Sequence, residues 1–468
     1  MGIETYATRT GFQPYERAKR SKTLMIELQS LTNTRRLIVL VFASVIAAIL
    51  SYLGIQNALA VHYSDQGTLE GYQRAVQLEP KNAKNWYLLG RYLQLEFEHP
   101  DPEGAVRALK TSSSLDPRSA RTWLELASAY EDKGSLGAAR EALIRAKVAY
   151  PRSAEVSWQY GNFLLRVGET QTAVTEIYQA VQEDPTFGLP AFSTLQRFGP
   201  DIDTVLDRDL PHIASVYLDI LWDSYYDGPT NVSLKVWSLL FELRKTMSQD
   251  EVPVGHFQNT RQTLFSLVDK LIFKGPISEA QRVWDEVLTF LHIPRPNDPP
   301  GSLVWDGGFE TDVAGGGFTW RMPPPGFMVR YDRNIKHSGE RSLQIRFDGK
   351  RNVDFHDVCQ FVLVNPEVDY DFSAWLRTDD LTTINGIFLR LNTPFNNAIG
   401  ATTPQVTGTI PWTRFNIEWK AARDVHIVQI CLARLPSQKL DNRISGSVWL
   451  DDVALVPRFR EQAASSGP

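Results

Sequence analysis

Residues 120–151, ARTWLELASAYEDKGSLGAAREALIRAKVAYP, decide how this chain must be read. Apolar and small residues fall at helical spacing on both sides of Gly134, and Pro151 closes the stretch, so it reads as two helices joined by a tight turn. The unit recurs. Pro117, Pro151 and Pro185 stand 34 residues apart (151 − 117 and 185 − 151), as do Ala105, Ala139 and Ala173. A fixed period of this length in helical sequence marks stacked hairpins, each burying its apolar face only against its neighbours.

Working outward, residues 83–117 repeat the pattern, with Trp86, Leu89 and Gly90 where Trp123, Leu126 and Ala127 come later. The step from Pro80 to Pro117 is 37, which places three extra residues near positions 97–102. Residues 154–185 keep Gly161, Gly168, Ala173, Ala180 and Pro185 but move the tryptophan to Trp158, and a half-repeat on one helix (Tyr72, Ala75, Pro80) precedes the set. Trp123, Leu126, Tyr130, Gly134, Ala139, Leu143, Ala146 and Pro151 resemble the tetratricopeptide repeat family nearly position by position. The resemblance implies an α-solenoid over 65–190 whose inward-curving face grips protein partners. Residues 191–292 continue as helical runs without a clean period, ending in a degenerate hairpin that includes 278–288 and is expected to cap the stack.

Upstream, residues 37–55 read LIVLVFASVIAAILSYLGI, and no charge occurs between Arg36 and Asp65. Nineteen such residues make roughly 28 Å of helix, enough to cross a bilayer. Residues 1–36 carry seven basic and three acidic side chains. The positive-inside rule then puts the N-terminus in the cytoplasm and everything beyond the span on the far side. The expected location is a bacterial inner membrane, crossed once, with a periplasmic or extracellular body. The triplet Ala58-Leu59-Ala60 offers a signal-peptidase alternative, but a 36-residue lead is long for a removed signal. A retained anchor is the expectation.

Downstream, residues 293–301 (IPRPNDPPG) form a proline-rich, semi-rigid linker. Short apolar runs separated by Gly, Pro, Asn and Asp follow, the pattern of an antiparallel sandwich, and residues 458–468 are expected to be a disordered tail. The segments WDGGFE (305–310), KHSGERSLQIRF (336–347), VLVNPEVDYDFSAWLRT (362–378), PWTRFNIEW (411–419) and SVWLDDVALV (447–456) resemble, in this order, carbohydrate-binding modules of the family 4/9/22 type. That resemblance implies a galactose-binding-like jelly roll over 302–457 and a polysaccharide ligand. It also implies a structural calcium held by Glu310 and Asp451, with hydrogen-bonded carboxylates as the alternative.

Strand alternation separates core from candidate ligand-binding positions. Tyr370, Phe372, Ala374 and Leu376 read as core, which turns Trp375 and Arg377 outward; Ile387, Leu389 and Leu391 do the same for Phe388, Arg390 and Asn392. Phe415, Ile417 and Trp419 leave Arg414, Asn416 and Glu418 outward, while Trp449, Asp451, Val453 and Leu455 share one face, so that Asp451 points in and Asp452 out. Were the outward sets to meet, they would combine a flat ring for stacking on a sugar with guanidinium and amide groups for its hydroxyls.

Composition excludes other classes. A net charge of −5 argues against nucleic acid as the main partner. The two cysteines, Cys359 and Cys431, allow no disulfide framework and no zinc cluster, leaving buried thiols or a single disulfide. The eight histidines are scattered, and no HExxH, GxSxG or P-loop is present. The expected whole is a multidomain, non-catalytic envelope scaffold: transmembrane helix, all-α solenoid, then all-β sandwich. Its solenoid binds protein and its sandwich binds polysaccharide, with a place in exopolysaccharide or O-antigen assembly; the alternative is a protein–protein adaptor whose sandwich binds no sugar.

Overall fold

The computed structural model describes residues 33–96, 100–198, 201–248, 252–256, 259–323, 328–394, 399–440 and 442–458. Most of the basic N-terminal segment, the centre of the 97–102 insertion and the chain end after Arg458 lie outside them. The chain forms two compact units, Met1–Phe163 and Leu164–Pro468.

In the first unit, helices α1 (Asn33–Ser64), α2 (Leu69–Leu78), α3 (Ala83–Leu95), α4 (Pro102–Leu115), α5 (Ala120–Asp132) and α6 (Leu136–Ala149) precede α7 (Ala154–Arg166), which crosses the unit boundary. Thr68, Asn82, Asp101 and Ser119 cap α2, α3, α4 and α5 by accepting backbone N–H groups. Small residues let the paired helices touch: Ala75, Ser112 and Ala146, each five residues before its proline, are fully buried. Ser112 also donates to the Ala83 carbonyl at 2.8 Å. The spacing of tryptophan and proline has a direct cause. The Trp86 indole donates to the Pro80 carbonyl at 2.8 Å, and Trp123 makes the same bond to Pro117 at 2.9 Å. Each tryptophan thereby ties its helix to the end of the preceding repeat.

The half-repeat before α3 is a whole hairpin. Its first helix is the end of α1, one uninterrupted helix of 32 residues. Residues 37–55 are exposed along the apolar stretch, and the helix then continues until Ala60 is fully buried. Leu59, Ala60, Tyr63 and Gly67 repeat the order and spacing of Leu126, Ala127, Tyr130 and Gly134. Packing against α2 is close enough that a Cβ on Gly71 would collide with the Tyr63 carbonyl oxygen. The 58–60 triplet therefore lies inside a packed helix.

In the second unit, α8 (Thr170–Glu183), α9 (Gly188–Phe198), α10 (Ala214–Asp227), α11 (Thr230–Arg244), α12 (Thr260–Lys274) and α13 (Ile277–Phe290) lead into nine strands. The missing period in this region has a physical reason. Helix α10 is buried on several sides, through Val216, Tyr217, Leu218, Ile220 and Leu221, so no single stripe repeats along it. At its crossing with α11 and α12, buried Lys270 donates to the Ser224 carbonyl and, at 2.8 Å, to Ser233 Oγ.

The strands are β1 (Val329–Asp332), β2 (Ser342–Asp348), β3 (Phe355–Leu363), β4 (Asp369–Leu381), β5 (Phe388–Asn392), β6 (Ile399–Thr402), β7 (Gly408–Lys420), β8 (Ile427–Arg434) and β9 (Ser445–Pro457). They pair antiparallel in a five-stranded sheet, β1-β2-β9-β4-β7, and a four-stranded sheet, β3-β8-β5-β6. Between the sheets lie Ile345, Phe355, Tyr370, Phe372, Leu376, Leu389, Leu391 and Leu450. Cys359 and Cys431 face each other across β3 and β8 and form a disulfide.

Helices α12 and α13 pack against the sandwich. Asp269 on α12 pairs with Arg321 and accepts the Gly317 N–H at 2.8 Å, Phe273 meets Phe361 edge-on at 5.4 Å, and Trp284 on α13 meets Trp305 at 5.5 Å. Gly317, with φ 57°, lies where a Cβ would come 2.6 Å from the Trp284 ring. The proline-rich segment is likewise pinned. Arg295 pairs with Asp285 on α13, and the Asp298 carboxylate accepts the Asp306 and Gly307 N–H groups at 2.9 and 2.8 Å.

Candidate functional site

The outer face of the five-stranded sheet gathers most of the chemistry. Register places Arg330, Gln344, Trp449 and Arg377 in one row across β1, β2, β9 and β4. In the next row Asp451 stands opposite Trp375, and Trp375 opposite Arg414 on β7. The rows are locked sideways. Arg330 donates to Gln344, Arg377 lies 5.8 Å from the Trp449 ring centre, and the Trp449 indole donates to Asp332 at 2.9 Å. Burial opposes ionisation of Asp332, but donation from Trp449, Asn334 and Ile335 outweighs it and holds that carboxyl below its ordinary value.

The loop between β1 and β2 folds onto this face. His337 stacks on Trp375 with ring centres 3.7 Å apart and meets Trp412 edge-on at 5.8 Å. Three carboxylates hold the loop. Asp451 accepts the His337 and Ser338 N–H groups at 2.8 and 3.2 Å, Asp452 pairs with the His337 ring at 2.6 Å, and Glu310 accepts from Glu340 at 2.8 Å. Trp375 is thus half-buried, with one aromatic face already covered.

Asp451 requires a correction. The core residues of β9 are Val448 and Leu450, then Val453 and Leu455, so alternation breaks between them. The register with β4 shifts at this point, and Asp452 has φ 49°. This bulge puts Trp449 and Asp451 on the outer face, away from the core side to which simple alternation assigns them. Asp451 is nevertheless fully buried, beneath the loop. Burial, with help from the Asp452 charge and against donation from His337 and Ser338, pushes its carboxyl up to about 6.

The five sugar-contact candidates do not meet. Trp375 and Arg377 face outward from the five-stranded sheet, whereas Phe388, Arg390 and Asn392 face outward from the four-stranded one, on the opposite side of the sandwich. Phe388 and Asn392 are buried, and Arg390 lies beside the disulfide, opposite Cys431. Alternation finds which residues leave the core but not which sheet each strand joins. Trp412, Trp449, Gln344, Arg330 and His337 belong to the face that the sequence reading assembled only in part; the adjacent Asp451-Asp452 pair was the available hint of a bulge.

The metal candidates do converge. A Cβ built on Gly308 would lie 3.6 Å from Glu310 Cγ and 3.9 Å from Asp451 Oδ1. Carboxylate oxygens suit calcium. Here, however, Glu310 Oε1 and both Asp451 oxygens already accept backbone N–H groups, and among the described residues no cluster of three or more His, Cys, Asp or Glu is placed to hold a metal ion. In this conformation these oxygens latch the loop.

In the first unit a groove of about 680 Å³ runs between α5 and α7, lined by Arg121, Glu125, Ser128, Tyr150, Glu155 and Gln159. Its wall is cross-braced to α3. Tyr87 donates to Glu125 at 3.2 Å, and Gln94 donates to Ser128 and Asp132 at 2.8 and 2.9 Å.

No protein-family model matches this chain, and no curated protein is similar to it in sequence. By structure it is similar to MamA, at 17% identity over 46% of this chain and 93% of MamA with a TM-score of 0.23. Others are PilF of Pseudomonas aeruginosa (15% identity, 52% and 94% covered, TM-score 0.27) and YrrB, described as a TPR protein with an unusual peptide-binding site (13%, 48% and 95%, 0.24). At these scores the assignment of helical hairpins rests on the bonds and packing of the chain itself.

Proposed function

We propose that this chain is a non-catalytic, membrane-anchored scaffold whose first unit grips an extended segment of a partner protein. The groove between α5 and α7 carries the reading. It is open, and it offers Arg121 and Glu125 on α5, the helix that Trp123 ties to Pro117, and Glu155 on α7 as charges. Residues 37–55 insert in the bilayer with the basic N-terminus in the cytoplasm. The Cys359–Cys431 disulfide supports an oxidising compartment for the body. The outer face of the five-stranded sheet, rather than a platform shared with β5, takes a polysaccharide, and exopolysaccharide or O-antigen assembly is the process such a pairing would serve. A photo-crosslinking residue at Ser128, compared with one at Val148, which is 74% exposed on α6, tests the scaffold. Adducts specific to position 128 and lost in Arg121→Glu are expected, and equal labelling at both positions would refute the groove.

A further inference from the structure

We infer that the outer face of the five-stranded sheet selects an acidic saccharide, one bearing carboxylates such as a uronic-acid polymer. This deepens the polysaccharide reading above and rests on it. Four arginines leave the sheet on this side: Arg330 on β1, Arg346 on β2, Arg377 on β4 and Arg414 on β7. None of them is within ion-pairing distance of a carboxylate among the described residues. Two exposed acids share the face at one end, Asp348 on β2, and Asp379 on β4 in the row of Arg346; the others are committed elsewhere. Asp371 and Glu418, at the far end of the same face, are both held by Arg458, Asp332 accepts from Trp449 and two backbone amides, and Asp451 lies beneath the loop.

Around Trp375 and Trp412, away from that end, the face therefore presents positive charge with free donor capacity beside half-buried aromatic surface. Arg330, Arg346 and Arg414 are exposed and Arg377 half-exposed, while Trp412 and Trp375 stand between Arg377 and Arg414. Strands lie about 4.8 Å apart, so arginines on β1 and β4 in one row are separated by roughly 14 Å, a span of about three sugar rings. A guanidinium fork matches a carboxylate in plane and bidentately, which a neutral hydroxyl cannot reproduce. The tryptophan edges supply the apolar contact that a sugar ring makes and a bare polyanion lacks. Charge without such surface would suit any anion; the combination favours a saccharide.

The test uses the full chain in detergent, titrated with polygalacturonate, with its fully methyl-esterified counterpart, and with two controls, polyglutamate and phosphatidylglycerol vesicles. Polygalacturonate should bind at least about tenfold more tightly than the ester, as expected for losing one charged hydrogen-bonded pair. Its affinity should fall with added salt. Arg377→Gln and Arg414→Gln should each weaken it about tenfold, Arg414→Gln without moving the melting temperature. Equal binding of acid and ester would leave the polysaccharide reading standing and overturn the selection for acid. Binding of neither polymer would overturn both. Equal binding of polyglutamate or the vesicles would reduce the face to unselective charge and overturn the saccharide class.

Discussion

The helical hairpins of the first unit and the sandwich of the second are held by bonds of opposite reach. In the hairpins, Trp123 reaches back six residues to Pro117, and Ser112 reaches 29 residues to Ala83. In the sandwich, Trp449 is bonded to Asp332 at a separation of 117 residues and Asp451 to His337 at 114. The tryptophan–proline bond is made in two successive repeats, each over six residues, so the loss of one is local. Long-range bonds depend on register across several strands, so the loss of one is shared.

The largest expected effect lies in the sandwich. Replacing Cys359 and Cys431 by serine frees a separation of 72 residues and should cost about 4 kcal/mol of stability. Chemical unfolding should show the β-rich transition moving while the transition of α2–α6 stays put; movement of both would break the contrast between the regions. Next is Asp269→Ala, which leaves half-buried Arg321 without its carboxylate partner and should cost about 2 kcal/mol. Because that pair joins α12 to the sandwich, amide exchange should accelerate in both together. Acceleration in α12 alone would mean that helix and sandwich are separable after all.

A smaller change is expected for Trp123→Phe, which keeps the ring but loses the bond to Pro117, at about 1 kcal/mol. Exchange should rise only in α4, α5 and α6, and a global rise would show that the repeats are not independent. The last prediction is one of sign. The folded carboxyl of Asp451 is raised to about 6, above its ordinary value of 3.8. Its stabilising contribution is therefore complete below the unfolded value and is lost as pH rises through the folded one. With chelator present, the melting temperature should fall between pH 4 and 7 more steeply than in Asp451→Asn. If calcium displaces the amides at Glu310 and Asp451, millimolar calcium should recover that loss at pH 7, whereas no change would leave the latch as their whole role.

The same difference in reach explains what the sequence reveals. Pro117 and Trp123 announce the hairpins because the bond that requires them spans only six residues. Tyr370, Phe372, Leu389 and Leu391 are legible as core because alternation is a property of a single strand. The candidate site depends on partnership instead. Nothing in β5 states that it joins β8 rather than β4, so Phe388, Arg390 and Asn392 go to the wrong face. One bulge at Asp452 reverses the reading of Trp449 and Asp451. Helices α12 and α13 hide a different fact, since Trp284 and Phe273 look like the ordinary apolar face of a hairpin until Trp305 and Phe361 are seen against them.

The unbroken helix α1 has a consequence for how partners are found. A scaffold on a flexible tether sweeps a hemisphere above the bilayer, and its local concentration is diluted through that volume. Here no loop separates residues 37–55 from the first hairpin, and about 1.5 Å per residue puts Ala60 only some 8 Å beyond the apolar stretch. Under the proposed anchoring, the opening repeats would turn about the axis of α1 and drift in the plane of the membrane without rising away from it. Capture would become a search in two dimensions, favouring partners whose own exposed segments are held at the same height.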